Sequence, residues 1–358
     1  MGVWLVIARN NTLARAGFEL AHASGVFRLA ERRAAGTGAI LRFERVRPRS
    51  TAVFQPLRHE EITPRFLERM IRALQRWKFE FVSIAEARAR AQRPRGKTRF
   101  VALTFDGADR DFLKHAYPVL QRFEVPFSLY VPTGFVDNIA QAWWLALEAV
   151  VARAPRIVLV MKGEERRFRA ESAEQKYQVF DVLYGWMLTL PPDDLSVAIA
   201  DLCNRYGVEL KAVSRDIAMG WPDILKLAED SRAVIGSATV SYPVLANIAG
   251  PVALREMKMG RTILETSLER TCDEFAYPFG ARDAFSRRDV LLAQEASFAS
   301  AVCARPGLVV PGKTDPMCLP RITWRARSGS MRALRVVLSG LTMRREKRTS
   351  AVPEEFAS

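Results

Sequence analysis

Phe100-Val101-Ala102-Leu103-Thr104-Phe105-Asp106 and, further on, Phe127-Ser128-Leu129-Tyr130-Val131 are the two runs whose reading decides the fold. The first is almost continuously apolar and β-prone, as expected of a parallel strand covered on both faces. Between them Phe112, Leu113, Ala116, Val119, Leu120 and Phe123 recur at helical spacing. Strand, helix and strand within 32 residues make a βαβ unit, and such units imply a parallel sheet. Toward the N-terminus, Ala39-Ile40-Leu41-Arg42-Phe43 alternates like a strand. Thr63 caps a helix with Pro64 at its first position and Phe66, Leu67, Met70, Ile71 and Leu74 on one face. Phe79-Glu80-Phe81-Val82 is a short strand, and Ser83 with Glu86 forms a capping box.

Toward the C-terminus, residues 156–170 read as a hairpin turning at Lys162-Gly163, and residues 171–215 as two helices; the whole stretch 156–215 has the character of an insertion. The alternation resumes at Val234-Ile235-Gly236. A helix over 251–268, a strand at Phe275-Ala276-Tyr277 and a last strand near Ala301-Val302 follow. The expected architecture is α/β, one distorted (β/α) barrel over 36–328 with a helical insertion. It is preceded by an N-terminal helical extension, 1–35, and followed by a basic amphipathic tail, 329–358.

Composition narrows the function classes. The chain has 358 residues, 49% of them hydrophobic and 26% charged, so a disordered chain is excluded. No apolar run reaches the eighteen residues a spanning helix needs, and the first residues lack a basic stretch before their short apolar run, so no secretory signal is expected. The expected location is cytoplasmic. The net charge of +15 sits at the two ends: residues 1–50 hold nine Arg against three Glu, and residues 321–348 nine Lys or Arg against one Glu. Such ends attract anions. No nucleic-acid motif accompanies them and few aromatics are interleaved, so nucleic acid is not an expected partner. Peripheral contact with an anionic inner membrane is the functional alternative to a plain solvated surface. In the tail, Met331, Leu334, Val337, Leu338 and Leu341 share one helical face ahead of Arg344-Arg345-Glu346-Lys347-Arg348; this helix either packs on the barrel or lies on a membrane. Cys203, Cys272, Cys303 and Cys318 are too scattered for a disulfide scaffold, and the histidines are His22, His59 and His115.

In parallel α/β domains ligands bind beyond the carboxyl ends of the strands. Asp106 ends a buried strand, where a charge is costly unless paired or functional. The other strand-end loops are Ile235 to Pro243 and Phe275 to Gly280.

At these loops the sequence resembles the NodB-homology polysaccharide deacetylases. The resemblance runs from Leu41 to about Ile322. It rests on Arg58-His59-Glu60-Glu61-Ile62-Thr63-Pro64, Thr104-Phe105-Asp106, Tyr117-Pro118-Val119-Leu120, Val131-Pro132-Thr133-Gly134-Phe135, Phe275 to Gly280 and Leu319-Pro320-Arg321-Ile322. It implies a NodB-type barrel and metal-assisted removal of N-acetyl groups, with zinc held by an Asp and two His. In the family motif T-F-D-D-G the first Asp is the base and the second a metal ligand. Asp106 keeps the base position and Gly107 stands at the second. In G-S-H-x-x-x-H-P the histidine positions are Ala238 and Tyr242, within Gly236-Ser237 and Pro243. The late His that is the family's general acid has no counterpart after His115. Alanine offers no lone pair and a neutral Tyr is a poor ligand, so no cofactor is expected, although the family implies zinc.

The backbone N–H of Phe279 matches the family's donor to the acetyl carbonyl. Tyr277, Pro278, Gly280 and Thr133, within matching motifs, are the substrate-binding candidates, and Tyr242 and Trp143-Trp144 offer aromatic faces to a sugar. Asp106, Asp109, Asp111 and Asp137 are the oxygen-rich set for a magnesium- or calcium-type alternative; His59, Glu60 and Glu61 have poor ligand spacing. Two functions follow. One is a catalytically impaired deacetylase-like protein of exopolysaccharide or envelope glycan metabolism, acting as a carbohydrate- or partner-binding module. The other is an active hydrolase of N-acetyl groups on an amino-sugar polymer, using a non-standard metal site.

Overall fold

A computed structural model describes residues 12–34, 37–94, 96–324 and 330–341. Seven strands close a parallel barrel: β1 (Gly38–Phe43), β2 (Phe100–Asp106), β3 (Phe127–Val131), β4 (Ala233–Ser237), β5 (Glu274–Ala276), β6 (Ser300–Cys303) and β7 (Leu319–Thr323). Each pairs in parallel with the next, and β1 pairs with both β2 and β7, which completes the ring. The two-residue strand Glu80–Phe81 adds to the start of β2. The strand at 275–277 is shifted by one residue. Residues near Ala301 do not form the last strand, because β7 follows and closes the barrel.

Alternation along the strands builds two layers. Ile40, Phe100, Ala102, Tyr130, Ala276, Val302 and Leu319, drawn from six of the seven strands, pack with one another inside the barrel. Leu41, Val101, Leu103, Phe105, Leu129 and Phe275 pack outward against the helices. Gly236 on β4 makes room for the Tyr130 ring, since a Cβ there would stand 2.7 Å from it.

The helix Pro64–Arg76 starts as its sequence dictates, with Thr63 accepting from the Phe66 N–H and Pro64 in the first turn. Its Leu67, Met70, Ile71 and Leu74 are fully buried, each stabilising by roughly 1.5–3 kcal/mol. The box at Ser83 is half made: Ser83 accepts from Glu86 N, but the Glu86 carboxylate turns to Arg90 at 2.7 Å. The helix expected from Phe112 opens with a wide turn, Phe112–Ala116, before Tyr117–Phe123. Pro118, which has no N–H to donate, sits at that junction.

The hairpin is Arg156–Met161 with Glu164–Arg169, and Lys162 and Gly163 both take positive φ at its tip, the geometry a two-residue turn needs. Three helices follow rather than two: Ala173–Met187, Pro192–Arg205 and Leu210–Ile217. With the helix Trp143–Arg153 the insertion has its own core, including Leu147, Val150, Phe180, Leu183 and Leu202.

The tail helix Met331–Leu338 packs on the barrel and on the helices Thr12–Ala23 and Val26–Arg33. Ala333, Leu334, Val336 and Leu338 are buried. Arg332 pairs with Glu19 at 2.8 Å and Arg335 with Glu31 at 3.1 Å. Of its apolar face Leu334 and Leu338 are buried, Met331 and Val337 half-buried and Leu341 exposed; the basic run at 344–348 and the first eleven residues lie outside the described residues. Among the described residues no helix is long and apolar enough to cross a membrane.

Candidate functional site

β2 delivers Asp106 to the carboxyl end of the barrel, 7% exposed. The two strands on one side of it in the ring, β1 beside it and β7 next beyond, each bring an arginine. From β1, Arg42 Nε donates to Asp106 Oδ2 at 2.5 Å. From β7, Arg321 Nη1 and Nη2 donate to Oδ1 and Oδ2 at 2.5 and 2.8 Å, a bidentate fork. Arg321 is itself fully buried, donates through Nε to the Cys303 carbonyl at 3.2 Å and lies over the Tyr130 ring. Arg42 also pairs with Glu44 at 2.5 Å. Burial works to raise the Asp106 pKa, but the charges and hydrogen bonds of Arg321 and Arg42 prevail and hold it below the usual carboxylate range. The result is a weak base with both oxygens already engaged, Oδ1 by one guanidinium donor and Oδ2 by two.

The loop after β4 is not helical. Thr239 and Tyr242 both have positive φ. Glu256, on the helix Gly250–Leu268, accepts from the Val240 and Ser241 N–H groups at 3.0 and 2.8 Å. Ala238 is fully buried inside the barrel, and Tyr242 packs over it. The Tyr242 hydroxyl faces Asp106 and the Phe279 N–H. Burial first, and then the Asp106 charge, push its pKa up to about 12, against the pull of Arg42 and that N–H. Tyr242 is thus a neutral phenol, and its own hydroxyl lies at the amide matched to the acetyl carbonyl.

Phe279 and Gly280 both have positive φ in a tight turn, with the Gly280 N–H on the Pro278 carbonyl at 2.6 Å. The Phe279 ring is half-buried and stands 5.1 Å from the Tyr242 ring and 5.9 Å from that of Trp144, which is 6.0 Å from Tyr242. Trp144, Tyr242 and Phe279 thus form a half-buried aromatic cluster at the barrel mouth, while Trp143 is buried in the insertion core. Glu148, one turn beyond Trp144, is raised to about 7 by burial and faces Arg45, Glu61 and Arg47.

Four substrate-binding candidates lie inside the protein instead. Tyr277 is fully buried, stacked on Phe285 with centroids 4.1 Å apart, and donates to the Met317 carbonyl at 2.8 Å. Pro278 and Gly280 are buried beside it. Thr133 is fully buried, its N–H on the Thr239 carbonyl at 3.2 Å. The packing of β5 and β3 against the loops that follow them leaves these side chains no open face.

The residues present do not fit the metal that the fold family implies. Gly107 and Ala238 offer no donor atom, Tyr242 is neutral, and a dication would stand beside two guanidinium groups already neutralising Asp106. The oxygen-rich set is dispersed: Asp109 Oδ1 accepts from the Phe112 N–H at 2.7 Å, Asp111 faces Arg45 and Arg47 at 3.7 Å, and Asp137 accepts from Trp221 Nε1 at 2.7 Å. His59 Nδ1 meets the Pro56 carbonyl and its Nε2 lies 3.5 Å from Glu60, while Glu61 faces Arg45 and Arg47. Among the described residues no three His, Cys, Asp or Glu side chains converge as a metal site. Arg42 and Arg321 are the site residues that pattern reading misses. Their signal is a charge inside an otherwise buried strand, at Ala39 to Phe43 and at Leu319 to Ile322.

No protein-family model matches the sequence, and no curated protein matches it. Solved structures do. IcaB from Ammonifex degensii superposes with a TM-score of 0.55 at 17% identity, over 84% of this chain and 97% of that one. The Streptococcus pyogenes deacetylase PplD, in complex with acetate, gives 0.52 at 14%, over 80% and 92%. The putative polysaccharide deacetylase BA0330 from Bacillus anthracis gives 0.53 at 12%, over 85% and 68%. At these identities the likeness establishes the fold.

Proposed function

We propose that this chain, which has the fold of the polysaccharide deacetylases, binds an amino-sugar polymer of exopolysaccharide or envelope glycan at the carboxyl-end mouth of its barrel and does not remove acetyl groups by the zinc route. The observation that carries the reading is the Arg42–Asp106–Arg321 clamp. A general base must reach the proton it takes, at about 2.6–3.2 Å, and Asp106 is buried with both oxygens held by guanidinium donors. The positions matched to the metal ligands supply no replacement Lewis acid, whose loss alone removes several kcal/mol of transition-state stabilisation. What the mouth offers is the aromatic cluster of Trp144, Tyr242 and Phe279, with ring faces suited to the C–H face of a pyranose.

The test has two arms. Acetate release from N-acetylglucosamine oligomers is measured with and without added zinc, alongside zinc stoichiometry, for the natural chain and for Gly107→Asp/Ala238→His/Tyr242→His. The natural chain is expected to release no acetate and hold no zinc, and the triple variant to gain zinc. Zinc held equally tightly by both, or acetate released by the natural chain, overturns the impaired reading. Binding of the same oligomers, read by calorimetry, is expected to fall at least tenfold in Trp144→Ala; unchanged binding removes the cluster from the proposal.

A further inference from the structure

The last residue of β6 is Cys303, and Cys318 immediately precedes β7. Because β6 and β7 are parallel neighbours, with Val302 opposite Leu319 and Cys303 opposite Pro320, the two cysteines come together although fifteen residues apart. Their sulfurs stand 3.5 Å apart, Cys318 donating to Cys303. Cys303 is fully buried, whereas Cys318 is half-buried and reaches the surface. The Cys303 carbonyl receives Arg321 Nε, so the pair adjoins the clamp on Asp106. We propose that Cys303 and Cys318 are a redox-active dithiol that closes to a disulfide under a small peroxide.

The chemistry balances without any group beyond hydrogen peroxide. A thiolate of the pair attacks one peroxide oxygen, the O–O bond breaks, and hydroxide leaves and takes up the thiol proton as water. The sulfenic acid so formed is attacked by the second sulfur; the S–S bond forms, the S–O bond breaks, and a second water departs. The two thiols lose two electrons and the peroxide gains them.

The surroundings favour the first step. The hydrogen bond from Cys318, above all, lowers the Cys303 thiol to about 7; burial opposes, and the Arg305 N–H with the charges of Arg321 and Arg305 assists. The same hydrogen bond raises Cys318, so the thiolate forms on Cys303 and the proton stays on Cys318. Cys303 is thus the attacking sulfur, and the half-buried Cys318, 3.5 Å away, is the one that closes the disulfide. Cys203 and Cys272 are buried, and burial raises both, to about 11 and about 12.

The full chain, reduced and desalted, is treated with stoichiometric hydrogen peroxide, denatured in iodoacetamide and digested with trypsin. The expected product is a cross-link between the peptides 289–313 and 314–321, with a loss of about 2 Da for the two hydrogens. Dithiothreitol reverses it, and Cys203 and Cys272 are recovered alkylated. The oxidised chain is also expected to melt at a higher temperature than the reduced one, since the cross-link restricts the unfolded state, and Cys318→Ser removes both the cross-link and this shift. Recovery of Cys303 and Cys318 as alkylated thiols overturns the proposal. So does Cys318 as a sulfinic acid without a cross-link, or cross-links reaching Cys203 or Cys272 equally often.

Discussion

Replacing Arg321 with Met tests the clamp. The substitution takes from Asp106 the donor that engages both of its oxygens and leaves the carboxylate with Arg42 alone, in a site where Asp106 is almost wholly excluded from water. Removing one partner of a buried ion pair costs about 3–5 kcal/mol, because the remaining charge is left uncompensated. With unfolding entropy of about 2.1 cal/mol/K per residue, a chain of 358 residues loses roughly 0.75 kcal/mol per degree, so the melting temperature should drop by about 4–7 °C. Asp106→Leu strands Arg321 instead and should cost a similar amount. The double variant Asp106→Leu/Arg321→Met leaves neither ion buried, and Arg42 keeps Glu44; most of the loss should return. Calorimetric melting of the four proteins at neutral pH decides the matter. Arg321→Met melting within a degree of the parent, or a double variant that loses the sum of the singles, would show that the network does not couple these strands.

Glu274, buried inside the barrel with Ser128 Oγ at 2.8 Å, has its pKa raised to about 7, chiefly by burial. A carboxyl raised on folding binds its proton more tightly in the native state, so its contribution is full below about 4.5 and is lost as pH climbs to about 7 and beyond, by up to about 3 kcal/mol; denaturant titrations should show Glu274→Gln flattening that decline. Asp106 works in the opposite sense: its lowered pKa gives stability present above about 4 and lost below it, a limb that Asp106→Asn should remove. Tyr277→Phe should cost about 1 kcal/mol for the hydrogen bond to Met317 and leave oligosaccharide binding unchanged; weakened binding would return Tyr277 to the site. Gly280→Ala, at φ +61° with a Cβ 2.7 Å from the Ala304 N, should lower stability by roughly 1–3 kcal/mol, read as a shifted denaturant midpoint.

Much of the framework is legible along the chain because local rules act there. The runs at 100–106 and 127–131 are strands because continuous apolar, β-prone residues suit a doubly covered sheet. Thr63-Pro64 opens a helix and Lys162-Gly163 turns a hairpin for reasons confined to a few residues. The boundary errors are also physical. β7 escapes periodicity reading because Pro320 and Arg321 interrupt its apolar pattern, and only its place between β6 and β1 makes it a strand. Tyr277 reads as an aromatic face for sugar because its motif lies at a strand end; that it stacks on Phe285 depends on a loop the local sequence does not foresee.

By itself the sequence determined most of the order of strands and helices, though not β7 or the third helix of the insertion, the placement of Asp106, Gly107, Ala238, Tyr242 and Phe279 at or beyond strand ends, and the identity of the side chains offered there. Only closure of the barrel decided what those side chains meet. Arg42 and Arg321 lie 64 and 215 residues from Asp106, and no local pattern links them. They converge because β1 stands between β2 and β7 in the ring, and because a buried carboxylate is stable there only when charges of opposite sign are brought against it.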